Sequence, residues 1–305
     1  MTRTPPVFVL AGPTGVGKTT LALDIAEALG TDIFSADSRQ AYRGLDIGTA
    51  KPTPEEQTRV RHHWIDVLDV GEPTSAGLFA READRYIERC QAEGRTAFVV
   101  GGSTLYVDAV VRGLASLPDV PAETAAQAFA ETETPDGRAR LFAELLAADP
   151  AGAATLDPTK TQRLARLVGL LRATGRRPSE LWAEGAPAGR DVRLVVLSRP
   201  RAYLYARIEA RVDAMLAAGL VDESRRLLAA GHSLETPPLR TIGYAEPIQF
   251  LQGETSEAEM VRLLKQNTRR YAKRQLTWFR RYPEARWVDL SSPPQSQPVL
   301  WFGAQ

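Results

Sequence analysis

Four short apolar runs rich in β-branched residues, Val7 to Ala11, Ile33 to Ala36, Thr96 to Val100 and Val192 to Leu197, alternate with stretches of helical periodicity. Buried strands separated by helices are the pattern of a parallel sheet covered on both faces, so the expected class is doubly wound α/β. A helix is expected over Thr20 to Leu29. Between the third and fourth runs, from Leu117 to Gly189, no strand candidate occurs. Helical pieces at Ala122 to Thr132, Gly137 to Ala148 and Thr161 to Thr174 fill it, punctuated by Pro118, Pro121, Pro135, Pro150, Pro158, Pro178 and Pro187. This predicts an all-helical lobe, residues 118–189, inserted between two parts of one core, 1–117 and 190–305. Further helices are expected at Ala202 to Ala217, Val221 to Ala230 and Glu257 to about Arg281. Trp287 to Leu290 suits a last edge strand, and the proline-bearing tail after Ser291 reads as loosely ordered.

The composition fits an ordinary soluble protein. At 305 residues and 44% hydrophobic content the chain can bury a sizeable core, yet no apolar run reaches membrane-spanning length. Met1 to Pro6 lacks the layout of a secretory signal, so a cytoplasmic location is expected. Cys90, the only cysteine, reads as a half-buried helix residue that can form neither an intrachain disulfide nor a cysteine-based zinc site. His62, His63 and His232 show no ligand spacing, so no zinc is expected. The net charge of +1 gives no global field for nucleic acid; any basic surface must be local.

Chemistry enters at residues 12 to 19. Gly12-Pro13-Thr14-Gly15-Val16-Gly17-Lys18-Thr19 is the full phosphate-loop (P-loop) pattern, placed between the first strand and the first helix. Gly12, Gly15 and Gly17 let successive N–H groups turn inward, and the helix N-terminus adds about half a positive charge. Lys18 is expected to meet the outer phosphate oxygens, and the Thr19 hydroxyl to ligate Mg²⁺.

A nucleotide hydrolase would carry a Mg²⁺ carboxylate after the run ending at Val100, but Gly101-Gly102-Ser103 stands there instead. The acid comes after the second run, at Asp37. Strand carboxyl ends line the ligand crevice of such sheets, so Asp37 is expected to face the phosphate socket, as a helix cap, an indirect Mg²⁺ partner or a general base.

From Asp37 the sequence becomes specific. Asp37-Ser38-Arg39-Gln40-Ala41-Tyr42-Arg43-Gly44-Leu45-Asp46-Ile47-Gly48-Thr49-Ala50-Lys51-Pro52 resembles a signature block of the tRNA dimethylallyltransferases, also called tRNA isopentenyltransferases. Gly101 to Tyr106, Gln162 to Arg166, Ile242 to Tyr244 and Ala272 to Trp278 match in the same order, so the resemblance runs from about Val7 to Arg281. It implies a P-loop sheet core with a helical insertion. It also implies transfer of a dimethylallyl group from dimethylallyl diphosphate to N6 of the adenosine at tRNA position 37, beside the anticodon. The loop would then hold a leaving group, with Lys18 and Mg²⁺ neutralising it and Asp37 taking the amine proton. In the family a diphosphate-contacting arginine lies where Arg207 and Arg211 stand here, four residues apart and hence on one helix face.

The target base must leave its loop to reach such a site. The resemblance places Asp37, Ser38, Arg39 and Gln40 against the flipped base. Ser103, expected at the sheet's edge, would approach the same loop. Gln162, Arg163, Leu164, Ala165 and Arg166, and Arg240, Thr241, Ile242, Gly243 and Tyr244, would contact the anticodon stem-loop. Lys273 and Arg274 belong to a basic C-terminal helix that also carries Arg262, Lys265, Arg269, Arg270, Arg280 and Arg281; its aromatics read as core packing. Ser103 stands where the family commonly has Thr. Ala125, Lys160, Gly169 and Ala245 also depart from common family residues at RNA-facing positions. The alternatives are an isopentenyltransferase acting on free adenine nucleotides and an ATP-driven kinase or RNA switch, ATP being another ligand of such loops. The chain is expected to act as a monomer.

Overall fold

The computed structural model describes residues 4–115, 117–184, 189–291 and 297–303. They form two compact units: Met1–Val111 with Arg190–Gln305, and Arg112–Gly189. The second unit thus starts at Arg112, ahead of the boundary at 118 drawn from the proline-rich break.

The first unit is built on β1 (Val7–Ala11), β2 (Ile33–Ala36), β3 (His62–His63), β4 (Ala97–Gly101), β5 (Val192–Ser198) and β6 (Arg286–Asp289). They make one parallel sheet in the order β3-β2-β4-β1-β5-β6. Every residue of β1, β2 and β4 is buried, which is why these strands read as unbroken apolar runs rather than alternating ones. The edge strands are different. β3 has two residues, no apolar run to announce it, and was not expected; β6 is largely exposed.

Four helices precede the second unit: α1 (Lys18–Leu29), α2 (Pro54–Arg59), α3 (Ala76–Ala92) and α4 (Thr104–Val111). The second unit consists of α5 (Ala122–Glu131), α6 (Pro135–Ala148), α7 (Pro150–Ala154), α8 (Thr161–Thr174) and α9 (Pro178–Glu184). The first unit resumes with α10 (Arg201–Ala217), α11 (Leu220–Ala229), α12 (Ala245–Leu251) and α13 (Glu257–Phe279). The prolines that break the pattern within the second unit also begin its helices: α6, α7 and α9 open at Pro135, Pro150 and Pro178, where a missing N–H costs nothing. Its core gathers Leu141, Leu145, Leu156, Leu164, Leu167 and Val168, and Arg172 bridges Glu131 and Glu144 at 2.6 and 2.7 Å. Pro187, Pro293 and Pro294 lie outside the described residues; the described part of the tail expected to be loose instead forms a 3₁₀ turn, Pro298–Phe302, with Trp301 and Phe302 buried and Phe302 stacked on Phe8 at 4.5 Å.

Cys90 departs from expectation: it lies on the inner face of α3, fully buried, and burial pushes its thiol pKa up. A thiol held neutral this way is inert packing.

Sheet register decides what meets at the carboxyl rim. Ala36 pairs with Gly101, and Ala11 pairs with both Gly101 and Val196. The residues that follow, Asp37, Gly102 and Gly12, therefore emerge at one level. Ser103 accordingly sits beyond an interior strand, between β2 and β1, and not at a sheet edge.

A second knot lies near that rim. The Glu223 carboxylate, 3% exposed, accepts from the Ile47 and Gly48 amides at 2.9 and 3.1 Å and from the Tyr244 hydroxyl at 2.6 Å. Removing the carboxylate strands one buried donor, the Tyr244 hydroxyl, and two partly buried amides. Glu223→Ala should therefore lower stability by about 3 kcal/mol in urea unfolding; an unchanged urea midpoint would contradict the role.

Candidate active site

A cavity of about 650 Å³ opens at the carboxyl rim, large enough for a small phosphorylated ligand together with a base. Thr14, Gly15, Gly17, Lys18 and Thr19 line it from the loop between β1 and α1. Gly15 and Gly17 take φ of 77° and 105°, left-handed geometry that costs a glycine little. Gly12, Pro13 and Val16 stand behind the lining: the first two offer carbonyls to Lys18, and the Val16 side chain is buried in the core.

Two carbonyls of the loop are held by arginines. Arg207 Nε donates to the Gly15 carbonyl and Arg199 Nε to the Val16 carbonyl, each at 2.9 Å. These bonds fix the backbone of the loop and occupy two successive carbonyls. One amide is diverted: Thr14 N–H donates to Gln275 Oε1 of α13 at 2.9 Å. The expected cradle from Thr14 to Thr19 is thus short of its first donor.

Positive charge is concentrated here. Lys18, Arg207 and Arg211 all line the cavity. Asp37 is the carboxylate facing them. Lys18 Nζ donates to the Gly12 and Pro13 carbonyls at 2.8 and 3.0 Å. Burial first, then the Arg211 charge, brings its pKa down to about 7, with Asp37 acting in the opposite sense. Burial also lowers Arg211, against the pull of Asp37 and with the push of Arg207. No described residue hydrogen-bonds the Arg211 guanidinium. Of the charges that could have tied it down, Glu209 pairs with Arg269 and Asp213 with Lys265, both at 2.6 Å. Two enclosed cations, Lys18 and Arg211, with the more exposed Arg207 beside them and one carboxylate facing them, form a site that calls for an anion.

Asp37 shares that cavity, as its position after β2 requires. Its Oδ1 accepts from the Arg39 amide at 2.8 Å and the Gln40 amide at 3.3 Å, which fixes the carboxylate in a tight turn. Oδ2 carries no bond from the described residues and is free to accept a proton. The turn is braced by Ser103, whose Oγ takes the Ser38 amide at 2.9 Å and donates to the Ser38 hydroxyl at 3.3 Å. Gln40 accepts from Ser35 Oγ at 3.1 Å and donates to the Ala50 carbonyl at 3.2 Å, closing the wall. Arg39 lines the cavity, and its Nε is buried with no partner among the described residues.

The other expected RNA contacts divide. Arg240, Thr241, Ile242 and Gly243 line the cavity, although Arg240 is also tied to Glu235 at 2.6 Å. Tyr244 has no exposed surface, and its hydroxyl serves Glu223; it is a structural residue and not an RNA contact. In the second unit Gln162, Arg163 and Arg166 are exposed along one side of α8, whereas Leu164 and Ala165 are buried and cannot present side chains to RNA. The continuous basic stripe read on α13 is interrupted: Arg262 pairs with Glu259, Lys265 with Asp213 and Arg269 with Glu209, each at 2.6 Å. Lys273 is exposed outside the cavity, and Arg274 lines it, stacked on Tyr271 with 5.7 Å to the ring centroid. Phe279 and Tyr282 are core residues as expected. Tyr271 is not: it lines the cavity, its phenol pushed up to about 12 by burial and the charge of Asp37.

Arg199, Gln275 and Tyr271 are the residues that sequence reasoning missed here. Gln275 lay inside a matched block without a role; Arg199 carried no signal, because its importance depends on a carbonyl far from it in sequence.

Fold and site together define a P-loop α/β protein with a cation-lined cavity beside a carboxylate. Comparison with known proteins makes this specific. A family model described as IPP transferase matches residues 40–282. The chain is 48% identical to the tRNA dimethylallyltransferase of Salinibacter ruber over 92% of this chain and 87% of that protein. It is 42% identical to that of Thermotoga maritima, with 93% and 92% covered. Among solved structures, the tRNA isopentenylpyrophosphate transferase of Bacillus halodurans superposes with a TM-score of 0.71 at 35% identity, covering 97% and 93%. A eukaryotic dimethylallyltransferase acting on tRNA gives 0.78 at 26% identity, covering 93% of this chain and 74% of the other. The chain belongs to the IPP transferase family.

The lowered Lys18 pKa has a thermodynamic signature. At pH 8 most of the free amine is neutral, and a bound diphosphate raises its pKa, so binding takes up protons. Calorimetry at pH 8 of an alkyl diphosphate, which is fully ionised at that pH, should show uptake approaching one proton when run in buffers of different ionisation enthalpy. Equal heats in both buffers would rule out a neutral Lys18.

Proposed function

We propose that this chain is a tRNA dimethylallyltransferase, transferring a dimethylallyl group from dimethylallyl diphosphate to N6 of the adenosine at tRNA position 37. The observation that carries the chemistry is the shared cavity: the enclosed cations Lys18 and Arg211, with the more exposed Arg207 beside them, line the same cavity as the free oxygen of Asp37. The allylic C–O bond breaks as the cations take up the negative charge of the departing diphosphate. The N6 lone pair forms the new C–N bond, and its proton passes to Asp37 Oδ2, the other oxygen being fixed by two amides. The products are N6-isopentenyladenosine in tRNA and free diphosphate.

Mg²⁺ fits the donors at hand. Among the described residues no cluster of three or more acidic, His or Cys side chains could cage a metal, but the Thr19 hydroxyl lines the cavity, and this ion takes most of its ligands from phosphates and water. Thr19 and the substrate phosphates would hold it, and it would add positive charge to the leaving group. No helix among the described residues is long and apolar enough to cross a membrane, consistent with a cytoplasmic enzyme meeting tRNA.

RNA rather than a free adenine nucleotide is the acceptor we favour because of Arg112–Gly189. A nucleotide acceptor has no use for the exposed Gln162, Arg163 and Arg166, neither arginine of which pairs with a described residue. The decisive assay is nucleoside mass analysis after incubation with dimethylallyl diphosphate and either anticodon stem-loop RNA or AMP. Prenylated product should appear on RNA; product on AMP alone would reject the assignment.

Two sets of variants separate the roles. Asp37→Ala should lower kcat by about 10²- to 10⁴-fold with diphosphate affinity near normal; wild-type turnover would remove the general base. Arg163→Ala with Arg166→Ala should raise KM for tRNA and flatten its salt dependence by about one unit of slope per lost phosphate contact, leaving kcat intact. An unchanged salt slope would take these arginines out of the RNA interface.

A further inference from the structure

The cavity is bounded on one side by α13, whose residues Leu264, Thr268, Tyr271, Arg274 and Gln275 all line it. Positions 264, 268, 271 and 275 recur at helical spacing and form one face. Eleven residues at about 1.5 Å each span roughly 16 Å, enough for one rigid rod to run from the acceptor wall to the phosphate loop. Its far end does something unusual. Gln275 is 2% exposed, and both ends of its amide are engaged: Oε1 takes the Thr14 N–H at 2.9 Å and Nε2 donates to the Gly102 carbonyl at 2.7 Å.

Those two partners belong to the two halves of the reaction. Thr14 is the first residue of the loop that lines the cavity. Gly102 links β4 to Ser103, which braces the Asp37 turn. The junction is tight: a Cβ on Gly102 would come within 2.6 Å of Gln275 Nε2, 3.2 Å of the Gly12 carbonyl and 3.5 Å of Lys18 Nζ. The absence of an acid after β4 thus has a structural cause, because the space is taken by Gln275 and Lys18.

We infer that Gln275 is a positioning residue that registers the diphosphate loop against the Asp37 wall, fixing the distance between leaving group and amine without binding either. The inference rests on the reaction proposed above. Diphosphate affinity does not depend on the bond, since Lys18, Arg207, Arg211 and the remaining amides stay in place, and loss of Gln275 even frees the Thr14 N–H. Turnover does depend on it, because a displacement on the order of 1 Å between reacting groups costs about 10²-fold.

The test is steady-state kinetics on tRNA with dimethylallyl diphosphate, together with calorimetric binding of inorganic diphosphate. For Gln275→Met the expected result is a kcat about 100-fold lower, with the diphosphate Kd within about threefold of wild type. Gln275→Glu, of equal size, keeps the acceptor for Thr14 but loses the donor to Gly102 and places a carboxylate beside Lys18. It should lose kcat at least tenfold and weaken diphosphate binding as well, and it decides the matter if the methionine variant does not fold. Wild-type kcat in either folded variant, or a Gln275→Met defect confined to diphosphate Kd or KM, overturns the inference. An inactive wild type would instead indict the assigned reaction.

Discussion

The structure turns on holding positive charges close together, two of them enclosed, at the end of a parallel sheet. Arg211 pushes on Lys18 and Arg207 on Arg211, and burial weakens the hold of water on Lys18 and Arg211, which is why the Lys18 pKa falls to about 7 and that of Arg211 is lowered. Such an arrangement survives because the fold fixes it from several directions. The Lys18 ammonium is seated on the Gly12 and Pro13 carbonyls, while Arg207 and Arg199 grip those of Gly15 and Val16. The unfavourable electrostatics of the free protein become favourable when diphosphate is the ligand. Binding energy and leaving-group stabilisation then come from the same charges.

In the proposed reaction Asp37 accepts a proton beside those cations, and the geometry keeps its carboxylate in place for that. Two backbone amides pin one oxygen, and the Ser38 and Ser103 hydroxyls brace the turn, so the carboxylate does not swing across to pair with Lys18. The conserved-looking block that follows Asp37 in sequence is largely concerned with this wall. Gln40 ties β2 to the Ala50 carbonyl, and Glu223 gathers the Ile47 and Gly48 amides with the Tyr244 hydroxyl. Lys51 sits between Asp46 and Asp66. Residues that look like recognition elements in a sequence can thus be the masonry behind them.

Sequence reading succeeded where the physics is local. The β1, β2, β4 and β5 strands are short apolar runs, and α1, α8 and α10 carry clear periodicity, so all seven were legible with ends shifted by a residue or two. The phosphate loop was legible because its spacing encodes a backbone conformation. What could not be read depends on residues distant in sequence. The two-residue β3 has no pattern of its own, being defined by pairing to Ile33 and Phe34. Tyr244, Leu164 and Ala165 were assigned to RNA from motif position, but burial, which a motif does not report, removed them. The α13 stripe failed similarly, because the carboxylates that neutralise it come partly from α10.

The order of the chain adds one more consequence. The P-loop is made from the first twenty residues, but its clamps, Arg199, Arg207 and Gln275, come from the last third. A nascent polypeptide emerging from the ribosome therefore carries the recognisable motif long before it carries a working socket. Competence arrives only when α13 has been synthesised and docked, so an N-terminal fragment, however well folded, has the motif without the grip.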